Sequence, residues 1–199
     1  KIALLNAFDK LCLKEGAITS TIISNPLDTD LSFLESYSAD LNDERIGQIT
    51  PLPNDNSENV ADLLMDSFHS KTRNMVRKGQ KAGFVCSCTG EERAMRSLYK
   101  LHGENMKNLG GAAKSWEVFE SIMKNFEYNI DYRVYVASRN GEIISALLLF
   151  YYNKIAEYFI PATVEAYKPE QPLSCLIMQA MRDAVVEKGC SMWNWGGTW

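Results

Sequence analysis

The stretch from Glu142 to Tyr152 constrains the fold most, because it is strand-sized and almost wholly apolar. Its centre reads Ile-Ile-Ser-Ala-Leu-Leu-Leu-Phe, which is too apolar for a strand with one face in water and therefore predicts a central strand. Asn140-Gly141 before it is a strong hairpin signal, and the alternating segment Tyr132–Ser138 supplies the partner strand. Asn153-Lys154 then turns the chain into Ile155–Ile160. The sequence thus predicts three consecutive antiparallel strands.

Helical patterns flank these three strands. Two helices are predicted before them, and after Pro161 a loop over 161–171 leads to a third helix that begins at Pro172, a favourable first helical position. Short strands are predicted at both ends of this region. The predicted order is strand Phe84–Cys88, helices Glu91–Leu109 and Ser115–Phe126, the three strands, helix 172–188 and strand Ser191–Trp195. This order predicts an α+β fold with a mixed, largely antiparallel sheet.

The first part of the chain has its own pattern of helix, strand, helix and strand. The helix covers 2–15, a β-branched strand covers Ala17–Ser24, Asp30 caps a short helix, and a second strand covers Arg45–Leu52. A further helix begins near Ser57. We expect the two early strands to pair with a sheet other than the one that contains Glu142–Tyr152.

Charge is distributed unevenly along the chain. The net charge is −4, yet residues 1–66 carry four basic against twelve acidic side chains. A basic segment follows, His69–Gly83, and no acid lies between Asp66 and Glu91. Its basic residues are Lys71, Arg73, Arg77, Lys78 and Lys81. On a helix these side chains form either an ordinary solvated face or a surface that binds phosphate, for which guanidinium groups are well shaped.

The cysteines and the apolar runs limit the protein class. Five cysteines form no Cys-x-x-Cys pair and have no zinc-ligand spacing, so we expect small buried thiols, no metal site and a cytoplasmic location. The longest apolar run, Ile143–Phe150, is too short to cross a membrane, and no integral membrane segment is expected. The first residue is Lys rather than Met, so we expect the sequence to be part of a longer protein.

Several segments, taken in order, resemble one enzyme family. They are Ser70–Gly83, Leu101–Met106, Asn140-Gly141-Glu142, Pro169–Pro172 and Trp193-Asn194-Trp195-Gly196-Gly197-Thr198. This set resembles the Fem-type (FemAB-like) aminoacyltransferases, which have two tandem GNAT-like domains. The family commonly has Asp where this chain has Asn194. The resemblance implies a GNAT-like acyl-CoA N-acyltransferase fold, with 1–56 as the C-terminal remnant of a first domain, 57–83 as a helical basic connector and 84–199 as a second domain without its last strands.

The resemblance also implies a reaction. Family members transfer an aminoacyl or acyl group to an amine, and no tightly bound cofactor is expected. The implied co-substrate is aminoacyl-tRNA, as in peptidoglycan bridge formation, or acyl-CoA, as in surface-polysaccharide modification. The acceptor is a phosphate-bearing cell-wall or polysaccharide precursor, with peripheral contact to a lipid-linked precursor and contact to tRNA as further expectations. Tyr167–Pro172 contains no Gly and two prolines, which argues against a Gly-rich turn for the pyrophosphate of CoA.

Candidate site residues follow from the same comparison. Tyr158, Glu165 and Tyr167 are the catalytic candidates on strand 155–160 and the loop after it, with Glu165 as the proton acceptor. The substrate-binding candidates are Lys71, Arg73, Arg77, Lys78 and Lys168. The alternative is a non-catalytic GNAT-like module that binds an anionic polymer or a nucleotide sugar through the basic segment.

Overall fold

The structure is a computed structural model that describes residues 2–25, 28, 30, 32, 39–44, 46–54 and 59–198. The chain divides into two compact units. One unit holds residues 1–47 with 197–199, and the other holds residues 48–196.

The first unit contains one described helix, α1, Ile2–Lys14, as the sequence predicts. None of its residues is buried, and Gly16 ends it with a φ of +63°. The predicted strand Ala17–Ser24 is wrong, because these residues have no regular secondary structure. Ile18 and Ile23 are almost fully exposed, so their β-branched side chains pack on no strand among the described residues. The helix predicted after Asp30 lies largely outside the described residues.

The sheet has six strands in the order β1-β6-β5-β4-β3-β2. The strands are β1 Ile46–Pro51, β2 Val85–Thr89, β3 Tyr132–Arg139, β4 Glu142–Tyr152, β5 Ile155–Thr163 and β6 Met192–Thr198. The prediction that Arg45–Leu52 pairs with a separate sheet is wrong, because β1 lies beside β6 at the edge of this one. Just beyond β1, the Leu52 amide donates to the Ser191 carbonyl at 2.9 Å.

Strand β4 is central and buried, as its composition predicts. It pairs with β3 on one side and β5 on the other, and Leu147 and Leu148 on its two faces are both fully buried. Asn140 and Gly141 have φ values of 52° and 81°, the left-handed conformation that a two-residue hairpin turn requires. The α+β fold with a mixed, largely antiparallel sheet is confirmed.

Helices cover both faces of the sheet. They are α2 Val60–Ser67, α3 Ser70–Lys81, α4 Glu92–Asn108, α5 Trp116–Asn125 and α6 Pro172–Val186. Helix α6 packs on one face together with α2 and α3, which contribute Val60, Leu64 and Val76 to that core. Helices α4 and α5 pack on the other face. Within the unit 48–196, α2 and α3 are therefore part of the core, while the division into tandem domains stays a prediction.

Strand β5, helix α6 and strand β6 form a crossover between parallel strands. Because the helix runs back along the sheet, its first turn lies at the end where β5 finishes. The predicted loop 161–171 is wrong in part: β5 continues through Pro161 to Thr163, and Glu165–Glu170 is a 3₁₀ helix. Pro161 is tolerated because β6 does not pair with β5 at that position, so no amide hydrogen is needed on that edge.

Candidate functional site

The parallel strands β5 and β6 separate part-way along their length. Their residue pairs are Ile155 with Met192, Ala156 with Trp193, and Glu157 with Asn194. Pairing stops there, although β5 runs on to Thr163 and β6 to Thr198. A wedge-shaped opening therefore begins at Glu157 and Asn194, and we call it the β5–β6 wedge. It opens towards the end of the sheet at which α6 begins.

A β-bulge lies on the β5 side of the wedge. Leu149 of β4 pairs with Tyr158 and Leu148 pairs with Ile160, which leaves Phe159 without a partner residue. A bulge turns the backbone of its extra residue out of the regular ladder. The side chain of Phe159 is 37% exposed. The extra residue Phe159 therefore lies on the strand that forms one side of the wedge, one residue before Ile160.

Helix α4 holds the far end of β5 through one side chain. The Asn105 Nδ2 donates to the Thr163 carbonyl at 2.8 Å, and the Thr163 amide donates to the Asn105 Oδ1 at 3.1 Å. These two bonds replace those that a neighbouring strand would make. Three residues earlier, the buried His102 Nε2 accepts a hydrogen bond from the Lys114 amide. The segment Leu101–Met106 therefore holds the end of β5 and the chain at Lys114, a role that the sequence pattern alone does not predict.

Glu157 occupies the point at which the wedge begins. Its carboxylate Oε2 accepts a hydrogen bond of 2.6 Å from the Asn194 Nδ2, and the Asn194 Oδ1 accepts one from the Gly196 amide. Burial raises the pKa of the Glu157 carboxyl above its ordinary value, and the hydrogen bond from Asn194 offsets part of that rise. A half-buried carboxylate with a raised pKa is suited to accept a proton.

Sequence reasoning missed Glu157. The signal was present, because Glu157 is the one charged residue in the otherwise apolar Ile155–Ile160. What was not visible is its cross-strand neighbour, Asn194, which lies 37 residues away in sequence.

The predicted catalytic residue Tyr158 follows Glu157 and points to the opposite face of the sheet, among aromatic side chains. Its ring lies 5.2 Å from that of Trp195 and 6.2 Å from that of Trp193. Burial raises the pKa of the Tyr158 hydroxyl well above its ordinary value. The Trp195 Nε1 donates to the Thr50 Oγ1 at 2.9 Å, which connects this cluster to β1. Tyr158 thus forms part of one wall beside the wedge as a neutral phenol.

The other predicted residues of this region lie on the 3₁₀ helix and fall into two groups. Glu165 and Lys168 form an exposed ion pair with a separation of 2.6 Å. Tyr167 instead contacts Phe84, with ring centroids 6.3 Å apart, and the guanidinium of Arg139 lies over both rings. Arg139 also forms two hydrogen bonds with the Glu170 carboxylate and so fixes the 3₁₀ helix to the sheet. Tyr158, Glu165 and Tyr167 are therefore not brought together.

The basic residues of α3 are likewise separated. Lys71 and Lys78 line an open concavity together with Ser70, Asn74, Met75 and Gln171. We call this surface the basic concavity. The Arg73 guanidinium instead donates to the Phe68 carbonyl at 2.6 Å, where it caps the end of α2. Arg77 is exposed and does not line the concavity.

Helix α3 crosses the first turn of α6 at very close range. A Cβ atom on Gly79 would lie 2.4 Å from the Gln171 carbonyl oxygen, so only glycine permits this approach. Gln171 precedes α6 in a left-handed conformation, with a φ of 63°. The basic concavity is thus positioned beside the start of α6, at the same end of the sheet as the open end of the wedge.

The family model of the acetyltransferase (GNAT) domain matches residues 66–198. The chain belongs to this family. The matched range contains the basic concavity, the wedge, and the residue pair Glu157 and Asn194. The prediction of an acyltransferase with a GNAT fold is thereby confirmed. GNAT acetyltransferases take their acyl group from acyl-CoA, a co-substrate rather than a tightly bound cofactor.

Several solved structures are similar to this GNAT domain. The crystal structure of FemX superposes with a TM-score of 0.74 at 15% identity, covering 98% of this chain and 67% of that one. L-PGS from Bacillus licheniformis gives 0.49 at 13% identity and 76% and 44% coverage. The C-terminal domain of a putative lysylphosphatidylglycerol synthetase from Agrobacterium fabrum gives 0.45 at 16% identity and 66% and 44% coverage. The similarity to FemX supports the fold of the chain.

No curated protein sequence matches the chain. In the part of the GNAT chain that the structure describes, none of the helices has the length and apolar character needed to cross a membrane.

Proposed function

We propose that this GNAT chain transfers an acyl or aminoacyl group to an amine of a phosphate-bearing cell-envelope precursor, with the reaction taking place in the β5–β6 wedge. The observation that carries the proposal is the separation of the two strands directly after the hydrogen-bonded pair Glu157 and Asn194. It supports the proposal because Glu157, which we propose as the proton acceptor, lies at the closed end of the wedge.

The chemistry requires three contributions from the chain. The amine nitrogen attacks the carbonyl carbon of the donor, a carbon–nitrogen bond forms, and the thiol or ribose hydroxyl of the donor leaves with a proton. Glu157 accepts the proton that the amine loses, directly or through water. The backbone at Phe159 receives the carbonyl oxygen as its negative charge develops. Asn105 positions this strand by holding Thr163.

Glu165 is the second candidate for the proton acceptor. It is the weaker one, because its carboxylate is exposed and is already engaged in an ion pair with Lys168. Lys168, on the 3₁₀ helix that follows β5, attracts anionic groups towards the wedge. Tyr158 contributes an apolar wall, and Tyr167 supports the 3₁₀ helix.

The basic concavity is proposed as the phosphate site. Lys71 and Lys78 supply two ammonium groups, and Asn74 and Gln171 supply amides that orient oxygens between them. We assign Arg73 and Arg77 a smaller share than the sequence suggests, since Arg73 is already engaged with Phe68. A cytoplasmic enzyme with peripheral contact to a lipid-linked precursor is consistent with this surface.

The donor is proposed as an activated acyl ester or thioester. Acyl-CoA follows from the family, and aminoacyl-tRNA is the alternative. The prolines at 169 and 172 and the crossing of α3 over Gln171 leave little free backbone at the start of α6. We therefore place the phosphates of either donor or acceptor on the lysines rather than on the amides of α6.

The test is an acyl-transfer assay on the chain with a nucleotide-linked peptide precursor that carries a free lysine amine. Acetyl-CoA and an aminoacyl-tRNA are supplied in separate reactions, and the product is identified by its gain in mass. We expect transfer from one of them and a loss of about 10²–10⁴-fold in turnover for Glu157→Gln, with a smaller loss for Glu165→Gln.

Binding is measured by titration calorimetry without a donor. Replacing Lys71 and Lys78 with Gln should weaken precursor binding about tenfold or more for each charge and reduce its salt dependence, whereas Lys124→Gln on α5 should change neither. Binding with no mass gain from either donor would instead favour the non-catalytic module.

A further inference from the structure

Two cysteines far apart in sequence meet between β2 and α6. Cys86 lies on β2 and Cys175 in the first turn of α6, 89 residues further on. Their sulfur atoms are 3.4 Å apart, and the Cys86 thiol donates a hydrogen bond to the Cys175 sulfur. Both cysteines are half-buried free thiols. The proposed acyl transfer uses neither of them.

We propose that Cys86 and Cys175 form an oxidation-sensitive pair that closes to a reversible disulfide when the protein meets a peroxide. The sulfur atoms need to approach by about 1.4 Å to reach the bonded length of about 2.05 Å. One sulfur is carried by a strand and the other by the first turn of a helix packed on the same sheet, so the closure requires only a small local movement.

The surroundings distinguish the roles of the two thiols. Cys175 lies in the first turn of α6, where the helix dipole favours a negative charge. The hydrogen bond from Cys86 lowers the pKa of Cys175, against the opposing effect of burial, while the same bond and burial raise the pKa of Cys86. Cys175 is therefore the thiolate that reacts first, and Cys86 is the thiol that resolves the product.

The reaction balances with hydrogen peroxide as the oxidant. The Cys175 thiolate attacks one peroxide oxygen, the oxygen–oxygen bond breaks, and the released hydroxide takes a proton to become water. The resulting sulfenic acid is attacked by the Cys86 sulfur, the sulfur–sulfur bond forms, and the hydroxyl group leaves with the Cys86 proton as a second water. Overall the protein loses two hydrogen atoms and the peroxide is reduced to two waters.

The chain contains a matched control for this pair. Cys88 lies two residues after Cys86 on the same strand, is also half-buried, and contacts the Tyr128 hydroxyl at 3.3 Å. Any oxidation that depends only on exposure or on position in β2 would affect Cys88 as readily as Cys86.

The experiment compares peroxide-treated and dithiothreitol-reduced protein by tryptic mass spectrometry after alkylation of free thiols. Trypsin releases both Cys86 and Cys88 in peptide 82–93 and Cys175 in peptide 155–182. We expect these two peptides to be joined with a loss of two hydrogens, to separate after reduction, and to be joined equally in Cys88→Ser. The link should be absent in Cys86→Ser and in Cys175→Ser.

Two results would overturn the proposal. One is peroxide-treated wild-type protein in which Cys86 and Cys175 both remain alkylatable or proceed only to sulfinic acid. The other is a joined peptide pair that persists in Cys86→Ser or disappears in Cys88→Ser, because the link would then involve Cys88.

Discussion

Asn194 connects the two strands at the residue that we propose takes the proton. The Asn194 Nδ2 donates to the Glu157 Oε2 at 2.6 Å. The Fem-type pattern commonly has Asp at this position, and an Asp here would replace that donor with a second carboxylate next to Glu157. Two carboxylates so close resist simultaneous ionisation, and the pKa of Glu157 would rise further. The amide therefore keeps Glu157 ionised over a wider pH range than an acid would.

Asn194→Asp should accordingly move the acid limb of the activity profile. Glu157 must be deprotonated to act as a base, so a higher pKa shifts the rise in kcat/KM to higher pH. The measurement is kcat/KM against pH for wild type and Asn194→Asp, with Asn153→Asp in the β4–β5 turn as a control of the same charge change. Superimposable acid limbs would show that Glu157 does not limit the rate.

Glu157→Gln should lower the turnover without lowering the thermal stability of the protein. Because burial raises the folded-state pKa above 4.5, the fold favours the protonated form. The corresponding stabilisation is present below that value and is lost as the pH rises through the raised pKa. At pH 7, Gln can still accept the hydrogen bond from Asn194 without a buried charge, so the Tm should stay equal or increase while turnover falls. A clear fall in Tm at pH 7 would contradict this account of the carboxyl.

At the scale of elements, turn signals and apolar runs predicted most of the second part of the chain. The predicted bounds of β4 agree with the structure, and those of α4 and α5 differ by about one residue. Each of these elements has a clear pattern of apolar residues and ends at polar residues. The strand predicted at Ala17–Ser24 does not form, because a strand needs a partner strand and local residue preference cannot supply one. The continuation of β5 through Pro161 cannot be predicted from local sequence, because the absence of β6 pairing at that position is a property of the whole sheet.

The crossing of α3 over α6 depends on one missing side chain. Gly79→Ala would place a Cβ 2.4 Å from the Gln171 carbonyl oxygen, and because that oxygen belongs to the backbone, the helices must separate. We expect a cost of about 1–3 kcal/mol in the free energy of unfolding, measured by urea denaturation.

The matched control is Gly103→Ala in the interior of α4. A Cβ there meets no atom within 4 Å, so the higher helix propensity of alanine should stabilise the protein by up to about 1 kcal/mol. Equal effects of the two substitutions would mean that α3 and α6 do not approach as closely as described.

At the scale of the whole molecule, the sequence predicted the fold class but not every neighbour in the sheet. The sequence of β1 does not predict that it pairs with β6. The pairing of an edge strand depends on which strand edge the folded chain brings close to it. The sequence predicts a reactive centre near the end of β5 with Glu165 as the proton acceptor, whereas the site that we propose uses Glu157 on the same strand. The sequence also ranks the basic side chains by their spacing and not by the groups that they contact. Arg73 had the better spacing, yet its guanidinium is used by Phe68.

The two faces of β4 should respond alike to truncation, because helices cover both. Leu147 faces α6 and Leu148 faces α4 and α5, and both are fully buried. Leu147→Ala and Leu148→Ala should each lower the free energy of unfolding by about 2–5 kcal/mol in thermal or urea denaturation. A loss under about 1 kcal/mol for either variant would mean that its face of the sheet is open to solvent.

The bonds between Asn105 and Thr163 have a consequence for how the protein behaves at high concentration. An opening between strands exposes backbone groups that can recruit a foreign strand and seed aggregation. On this edge of β5 the Thr163 amide and carbonyl are already taken by Asn105, and Pro161, two residues earlier on the same edge, has no amide hydrogen to offer. The wedge can thus admit a small reactant, while this edge of β5 offers few backbone hydrogen-bonding groups to a strand of another chain.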